Sequence, residues 1–291
     1  MSALETTISD LRSEHRKRVF AMEQRKRTDL SLGWFLKTVL GWSKNLPDAE
    51  RDAIAERAAE MIAIGEALAK GKPVKADPVF EEWRPLILAT IQARGPFDRI
   101  EADATKLMEK LAITLPVWSW VEPIRGFGAL GLATIVAEAG DLANYPTVAK
   151  LWKRMGLAVM DGVRQGGLLK TAAKADWIAH GYNRQRRSRM WNIGQSLVKG
   201  NQDGTYRTIY LARKEYERTK AEAAGLTVAP AGKIPKGKQA EHMSHGHIDK
   251  RAQRYMEKRL LRDLWRAWRE TRGALTSGVP VSPAETSRDA A

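Results

Sequence analysis

The chain has 291 residues and a net charge of +15, with 49 lysine and arginine residues against 34 aspartate and glutamate residues. It has no cysteine, which excludes disulfides, thiolate metal sites, iron–sulfur clusters and cysteine nucleophiles. No stretch reaches the roughly 18 uninterrupted apolar residues that a membrane span needs, so we expect a soluble cytoplasmic protein with no membrane partner.

The charge is unevenly distributed along the chain. Residues 1–122 contain 19 acidic and 19 basic residues, whereas residues 123–291 contain 15 acidic and 30 basic residues. Such an asymmetry is typical of a chain in which one region faces a polyanion such as nucleic acid. A solubilising surface is the alternative, but surfaces of that kind usually mix the two signs.

The N-terminal region, residues 1–115, has apolar residues at helical spacing and no convincing strand. We expect it to mediate dimerisation, giving a homo-oligomer, or to bind a partner. Its last two helices should be separated at the sequence Arg-Gly-Pro, 94–96, because glycine and proline break helices. The five predicted helices span residues 10–27, 31–44, 48–70, 78–93 and 97–112.

A glycine-rich stretch, PIRGFGALGLATIVAEAGDLANYP at 123–146, follows in the predicted domain 116–224 and matches a helix-hairpin-helix pattern. Two glycines around one apolar residue permit a tight turn and a close approach of the backbone to another surface. The free amide groups of the turn and of the next helix, predicted near 129–140, would bind a phosphate oxygen. A tight helix connection without a ligand is the alternative. The residues predicted to contact nucleic acid here are Arg125, Gly126, Gly128, Leu130 and Gly131, and Phe127 should pack inward.

The rest of the chain is predicted from the same periodicities. A glycine-rich loop is expected at 160–167, and a Pro/Gly/Lys-rich flexible linker at 225–246. The tail, 273–291, should be disordered. Helices are predicted near 147–155, 168–180, 184–199, 206–224 and 247–272, the last being a basic amphipathic helix.

Two of these helices combine basic and aromatic residues, and we expect their cations to contact phosphates with a steep dependence on salt. Their tryptophans are more typical of core positions than of base stacking. An anionic membrane surface is a less favoured partner for the last helix. The predicted phosphate contacts are Arg184, Arg186, Arg187 and Arg189 in the first segment and Lys250, Arg251, Arg254, Lys258 and Arg262 in the second.

Three histidines, His242, His245 and His247, stand close together before the last helix. No acidic or cysteine partner lies clearly beside them, so we expect neither a metal site nor a cofactor there. The acidic residues of the N-terminal region alternate with lysine and arginine on helical patterns, which is typical of a solvated face rather than of a catalytic carboxylate cluster.

From about residue 100 onward the order of features resembles the C-terminal domain of the insertion-sequence transposases that include the Piv-type DNA invertases and the bridge-RNA-guided recombinases, most specifically in the block 123–157. The resemblance covers roughly half of the chain and implies an all-α DNA-binding domain. The matching positions are Gly126, Gly128, Ala133, Glu138, Gly140, Asp141, Tyr145, Pro146, Gly156 and Leu157.

Two departures from that family affect the expected chemistry. Its N-terminal domain is ribonuclease-H-like and supplies four acidic residues, whereas residues 1–115 show no such strand pattern. The family also has a nucleophilic serine before a glycine in the loop after Gly156 and Leu157, where this chain has Gln165 before Gly166. A glutamine cannot attack a phosphodiester.

The sequence therefore favours an all-α, nucleoid-associated DNA-binding protein without catalysis. A regulator, an architectural factor or an accessory recombination protein would fit this description. An active transposase or recombinase, using Ser188 or Ser196, is one alternative. An RNA-binding protein is another, because nothing in the sequence distinguishes the 2′-hydroxyl.

Overall fold

The computed structural model describes residues 2–169, 171–200 and 203–277, with side chains through Gly273. It is predominantly helical, which confirms the predicted all-α fold class. The chain divides into two compact units, one formed by residues 13–107 and the other by residues 1–12 together with 108–291. The helices are α1 (Ala3–Val39), α2 (Asp48–Ala69), α3 (Pro78–Ile113), α4 (Trp118–Val121), α5 (Gly128–Ala139), α6 (Val148–Arg154), α7 (Lys174–His180), α8 (Arg184–Lys199), α9 (Thr205–Ala223) and α10 (His245–Ser277).

Short strands form two separate pairs in the second unit. Strand β1 (Val159–Met160) pairs antiparallel with β2 (Val163–Arg164), and β3 (Thr227–Ala229) pairs parallel with β4 (His242–Ser244). The first pair is a hairpin whose turn is Asp161-Gly162, and both turn residues have positive φ, +50° and +75°. Asp-Gly is a favoured sequence for such a turn.

The unit of residues 13–107 contains three helical segments where the sequence predicted five. Helix α1 continues through 28–30, and α3 continues through Pro85 and through 94–96, so the two predicted breaks are wrong. Gly65 on α2 allows α3 to approach closely, because a Cβ there would lie 2.5 Å from Ile87 Cγ2. One apolar core cluster of this unit consists of the buried residues Leu32, Leu36, Ala58, Met61, Phe80 and Ile87.

Arg94 explains why α3 is uninterrupted. Its guanidinium lies 2.9 Å from Asp29 Oδ1, 2.9 Å from Glu66 Oε1 and 3.3 Å from Asp98 Oδ2. These contacts tie α3 to both other helices at the predicted break. Gly95, which precedes Pro96, also has no Cβ to clash with the proline ring, so the helical conformation costs less there than before another residue.

In the other unit, α5 lies in the largest apolar core. All its residues from Gly131 to Ala139 except Glu138 are buried. Helix α10 is joined to neighbouring segments by indole N–H groups: that of Trp152 donates to Lys258 O at 3.1 Å, that of Trp265 to Tyr145 O at 3.0 Å and that of Trp268 to Asp141 Oδ1 at 2.8 Å. Trp265 and Trp268 thus serve the core, as the spacing predicted, whereas the core position predicted for Trp191 is wrong, because that side chain is exposed.

Several predicted bounds in this unit are corrected. The predicted loop 160–167 contains the β1–β2 hairpin, and the helix predicted at 168–180 is limited to α7. The segment predicted as a flexible linker, 225–246, contains β3 and β4. Residues 278–291 of the predicted tail lie outside the described residues, whereas 273–277 belong to α10.

Candidate nucleic-acid interface

The glycine-rich turn between α4 and α5 has the backbone conformation that glycine favours. Gly126 has φ of +85° and Gly128 has φ of +59°. Phe127, between them, is buried, as predicted. Among the described residues, no protein acceptor is recorded for the N–H groups of Gly128 and Ala129 at the start of α5. These donors are therefore available to an anion.

Glycine is required for different structural reasons at the two positions of the turn. A Cβ on Gly126 would lie 2.7 Å from the carbonyl oxygen of Ser196, near the end of α8, so Gly126 is required by packing. A Cβ on Gly128 would meet nothing within 4 Å and the residue is exposed, so only its conformation requires glycine. Gly131 is explained by the Phe127 ring, which would lie 2.8 Å from a Cβ. Of the other predicted contacts in the turn, Arg125 is exposed, whereas Leu130 packs partly against the core.

Three of the four arginines predicted to contact phosphates from α8 are paired with carboxylates of the same unit. Arg186 and Arg189 both contact Glu138, Arg186 through its Nε at 2.9 Å. Arg187 contacts Glu257 at 2.9 Å. Arg184, at the start of α8, is exposed.

The cations of α10 divide into paired and unpaired groups. Arg251 contacts Glu217 at 3.2 Å, and Arg262 contacts Asp263 at 2.8 Å. Within the described part of the chain, no ion pair or donated side-chain hydrogen bond is recorded for Lys250, Arg254 or Lys258. The Lys258 ammonium instead lies 5.0 Å from the centre of the Trp152 ring.

Two of these cations, Arg254 and Lys258, are affected by burial and by neighbouring positive charge. Burial, followed by the charges of Arg187 and of Arg164 on β2, lowers the pKa of Arg254, and the charge of Glu257 opposes this change. Burial, followed by the charge of Arg254, lowers the pKa of Lys258. We call Arg164, Lys250, Arg254 and Lys258 the cationic cluster. The protonated forms of Arg254 and Lys258 are held in an environment that disfavours positive charge, which a bound anion would relieve.

His247 lies among the same charges. Its pKa is lowered by burial and then by Arg251, Lys250, Arg164 and Arg254. The charge of Arg164 on β2 therefore reaches the start of α10, the helix that also carries Lys250, Arg251 and Arg254. An imidazole that is neutral at pH 7 adds no further positive charge to this surface.

Arg164 was missed by the sequence prediction, which treated residues 160–167 as a loop. Its position depends on the β1–β2 hairpin and on the next residue, Gln165, which is buried. The Gln165 amide donates to Lys153 O at 3.0 Å and to His180 O at 2.8 Å, and its oxygen accepts from Ala158 N at 3.0 Å. Gln165 thus joins the hairpin to α6 and α7. The Asp-Gly pair was the available signal for the hairpin.

A buried polar network lies beneath the cluster, where α8 crosses α10. Gln253 Nε2 donates to Glu257 Oε1 at 2.8 Å and to Trp191 O at 2.9 Å, and Gln195 donates to Gln253 Oε1 at 2.6 Å. Glu257 is fully buried, and this burial raises its pKa to about 7 despite the opposing effect of Arg187.

The candidate serines and histidines have ordinary surroundings. Ser188 is exposed, and the Ser196 hydroxyl donates to Asn192 O, one turn earlier in α8, at 3.2 Å. His242 lies in β4, with Nδ1 2.9 Å from Lys238 O. Of the residues that the structure describes, no group of three or more histidine, aspartate or glutamate side chains is arranged to hold a metal ion.

No family model, curated protein or solved structure matches this chain. The helices of the described residues also include none that is long and apolar enough to cross a membrane.

Proposed function

We propose that this protein binds DNA by contacting backbone phosphates through the cationic cluster. The observation that carries the proposal is the environment of Arg254: it is partly buried and has no recorded ion pair among the described residues, and its pKa is lowered by burial and by neighbouring cations. A fold does not usually retain such a group for stability, because burying an unpaired charge is costly. A phosphate oxygen supplies the missing negative charge.

The glycine-rich turn provides a second set of donors for the same ligand. It contacts α8 at Ser196, and Arg187, beside the cluster, lies nine residues earlier. At 1.5 Å and 3.6 residues per turn, Ser196 and Arg187 are about 14 Å apart along the α8 axis and on opposite sides of the helix. A polyanion that contacts both sets of donors must therefore pass around α8. Contacts of this kind position a protein on nucleic acid without reading the bases.

Two further features of the sequence support this function. The positive charge is concentrated in residues 123–291, which contain every predicted contact. The resemblance of residues 122–157 to transposase C-terminal domains favours DNA as the polymer and a regulatory, architectural or accessory recombination role. We keep catalysis outside the proposal, because Gln165 occupies the position of the family's serine.

The first prediction tests the cluster with the double substitution Arg164→Gln and Arg254→Gln. Binding of a fluorescent 30-base-pair DNA would be measured by anisotropy at several potassium chloride concentrations. We expect affinity to fall about tenfold or more at moderate salt. The slope of log affinity against log salt should fall by about 1 to 2, because fewer counterions are released.

The matched control is Lys70→Gln with Lys72→Gln, which removes the same charge from exposed positions in the other unit. This control should bind DNA as the unchanged protein does. Equal losses in the two double variants would show that only net charge matters and would contradict the proposal. Unchanged binding by a folded Arg164→Gln/Arg254→Gln protein, checked by circular dichroism, would also contradict it.

A further inference from the structure

Trp191 on α8 differs from the other tryptophans of the chain. All ten lie within the described residues, and only Trp34 and Trp191 are classed as exposed, at 54% and 43%. Trp34 packs edge-on against Trp42 and lies under the ammonium of Lys37. Among the described residues, no ring partner, cation partner or indole hydrogen bond is recorded for Trp191. Single exposed apolar side chains are common, so exposure alone would mean little.

The backbone of Trp191 lies beside the cationic cluster. Its carbonyl accepts the hydrogen bond from Gln253 Nε2, which places it at the α8–α10 crossing. Gln253 directly precedes Arg254 and follows Lys250 by three residues, so the backbone of Trp191 borders the cationic cluster. Arg187, which acts on Arg254, lies one helical turn earlier on α8.

Trp191 follows Arg187 by four residues, so the two side chains lie on one face of α8, about 6 Å apart along the helix axis. The glycine-rich turn approaches α8 at Ser196, five residues further on and more than a third of a turn around the helix, so it lies on another side of α8. The donors beside the indole are therefore those of the cationic cluster. Cations beside an exposed aromatic ring are the combination by which proteins hold unpaired strands.

We propose that the surface is a binding site for single-stranded DNA, in which the Trp191 indole stacks on an unpaired base. This inference rests on the proposed function and specifies its substrate. Paired bases in a duplex are stacked on one another and expose only their edges in the grooves, so an indole on the protein surface gains nothing from them. The cationic cluster contacts phosphates of either form, whereas the indole distinguishes them.

The second prediction concerns Trp191→Leu, which keeps an apolar side chain but removes the ring. Affinity for a 20-nucleotide oligothymidylate should fall about tenfold, the range found for one base–aromatic stack. Affinity for a blunt duplex of equal length should change less than twofold. Trp191→Phe should recover part of the loss, because a smaller ring still stacks. Trp34→Leu, at the other exposed tryptophan, should bind both ligands normally.

A second measurement does not depend on any substitution. An oligonucleotide with the same phosphates but abasic sugars should bind the unchanged protein about tenfold more weakly than oligothymidylate, and Trp191→Leu should bind the two oligonucleotides equally. Equal binding of both by the unchanged protein would overturn the stacking role. Equal losses of single-stranded and duplex binding in Trp191→Leu would overturn it too.

The two proposals fail separately. If Arg164→Gln/Arg254→Gln weakens binding but Trp191→Leu does not alter the preference for single strands, the phosphate surface stands and the stacking role is wrong. If the double variant binds as the unchanged protein does, the phosphate surface itself is wrong.

Discussion

Gly194 has no side chain because α8 and α10 meet at this residue. A Cβ there would lie 2.6 Å from Gln253 Nε2 and 2.6 Å from Glu257 Oε1. Those atoms end flexible side chains, but both are held in the buried network by hydrogen bonds to one another and to Trp191 O. Moving them would break those bonds in a place that water does not reach.

The third prediction is that Gly194→Ala lowers the free energy of unfolding by about 1–3 kcal/mol, through overpacking and loss of buried hydrogen bonds. Denaturant titration would measure it. The control is Gly33→Ala inside α1, where a Cβ meets nothing within 4 Å. That change should be neutral or stabilising by up to about 1 kcal/mol. Equal effects of the two substitutions would contradict the close α8–α10 crossing.

Glu257 makes the stability of the protein depend on pH. Burial raises the pKa of this carboxyl from 4.5 to about 7, with Arg187 and Gln253 opposing the change. Between those two pH values the folded chain keeps a proton that the unfolded chain has lost. The contribution of this group to stability is therefore fully present below about pH 4.5 and is lost as pH rises through 7.

The fourth prediction uses Glu257→Gln, which cannot titrate. The unfolding free energy of the unchanged protein, taken relative to this variant, should fall by on the order of 3 kcal/mol between pH 4.5 and pH 8. Denaturant titrations across that range would measure the difference. Glu270→Gln, at an exposed position of the same helix, should follow the unchanged protein at every pH. If this difference in unfolding free energy rises with pH, the raised pKa of Glu257 is wrong.

Among the helices, α3 shows where sequence patterns fail. Glycine at 95 and proline at 96 favour a break, yet Arg94 contacts carboxylates of α1 and α2 at that point. Arg94 is 65 positions from Asp29 and 28 positions from Glu66 along the chain, so no local pattern could reveal these contacts. The ends of α5 and α8 were predicted more closely, because their apolar periodicity continues to a glycine or to a capping residue such as Asn183.

The fifth prediction concerns this network. Arg94→Met should lower the unfolding free energy by about 2–3 kcal/mol, since it leaves Asp29 and Glu66, both partly exposed, without their shared partner. Arg84→Met removes an exposed pair with Glu81 on the same helix and should cost less than about 1 kcal/mol. Thermal or denaturant unfolding would compare them, and a similar loss in both would contradict a special role for Arg94.

In the whole molecule, the two units differ in net charge. Residues 13–107 carry 17 basic and 15 acidic residues, whereas the rest of the chain carries 32 and 19. The sequence therefore predicted which region is basic. It could not predict which cations stay unpaired, because Glu138 neutralises arginines about 50 positions away. The charge of Arg164 likewise acts on Arg254 only once the hairpin is folded against its neighbours.

Gln165 is a position at which we expect few substitutions to be tolerated. One buried amide there satisfies two carbonyl oxygens and one N–H group from three parts of the chain. Asparagine is one carbon too short to reach all three. Glutamate would turn an oxygen toward both carbonyls, and serine would leave all three groups unmatched. In a library of all single substitutions, position 165 should therefore be among the least tolerant of the chain. A serine introduced there alone would remove the hydrogen bonds that join the β1–β2 hairpin to α6 and α7.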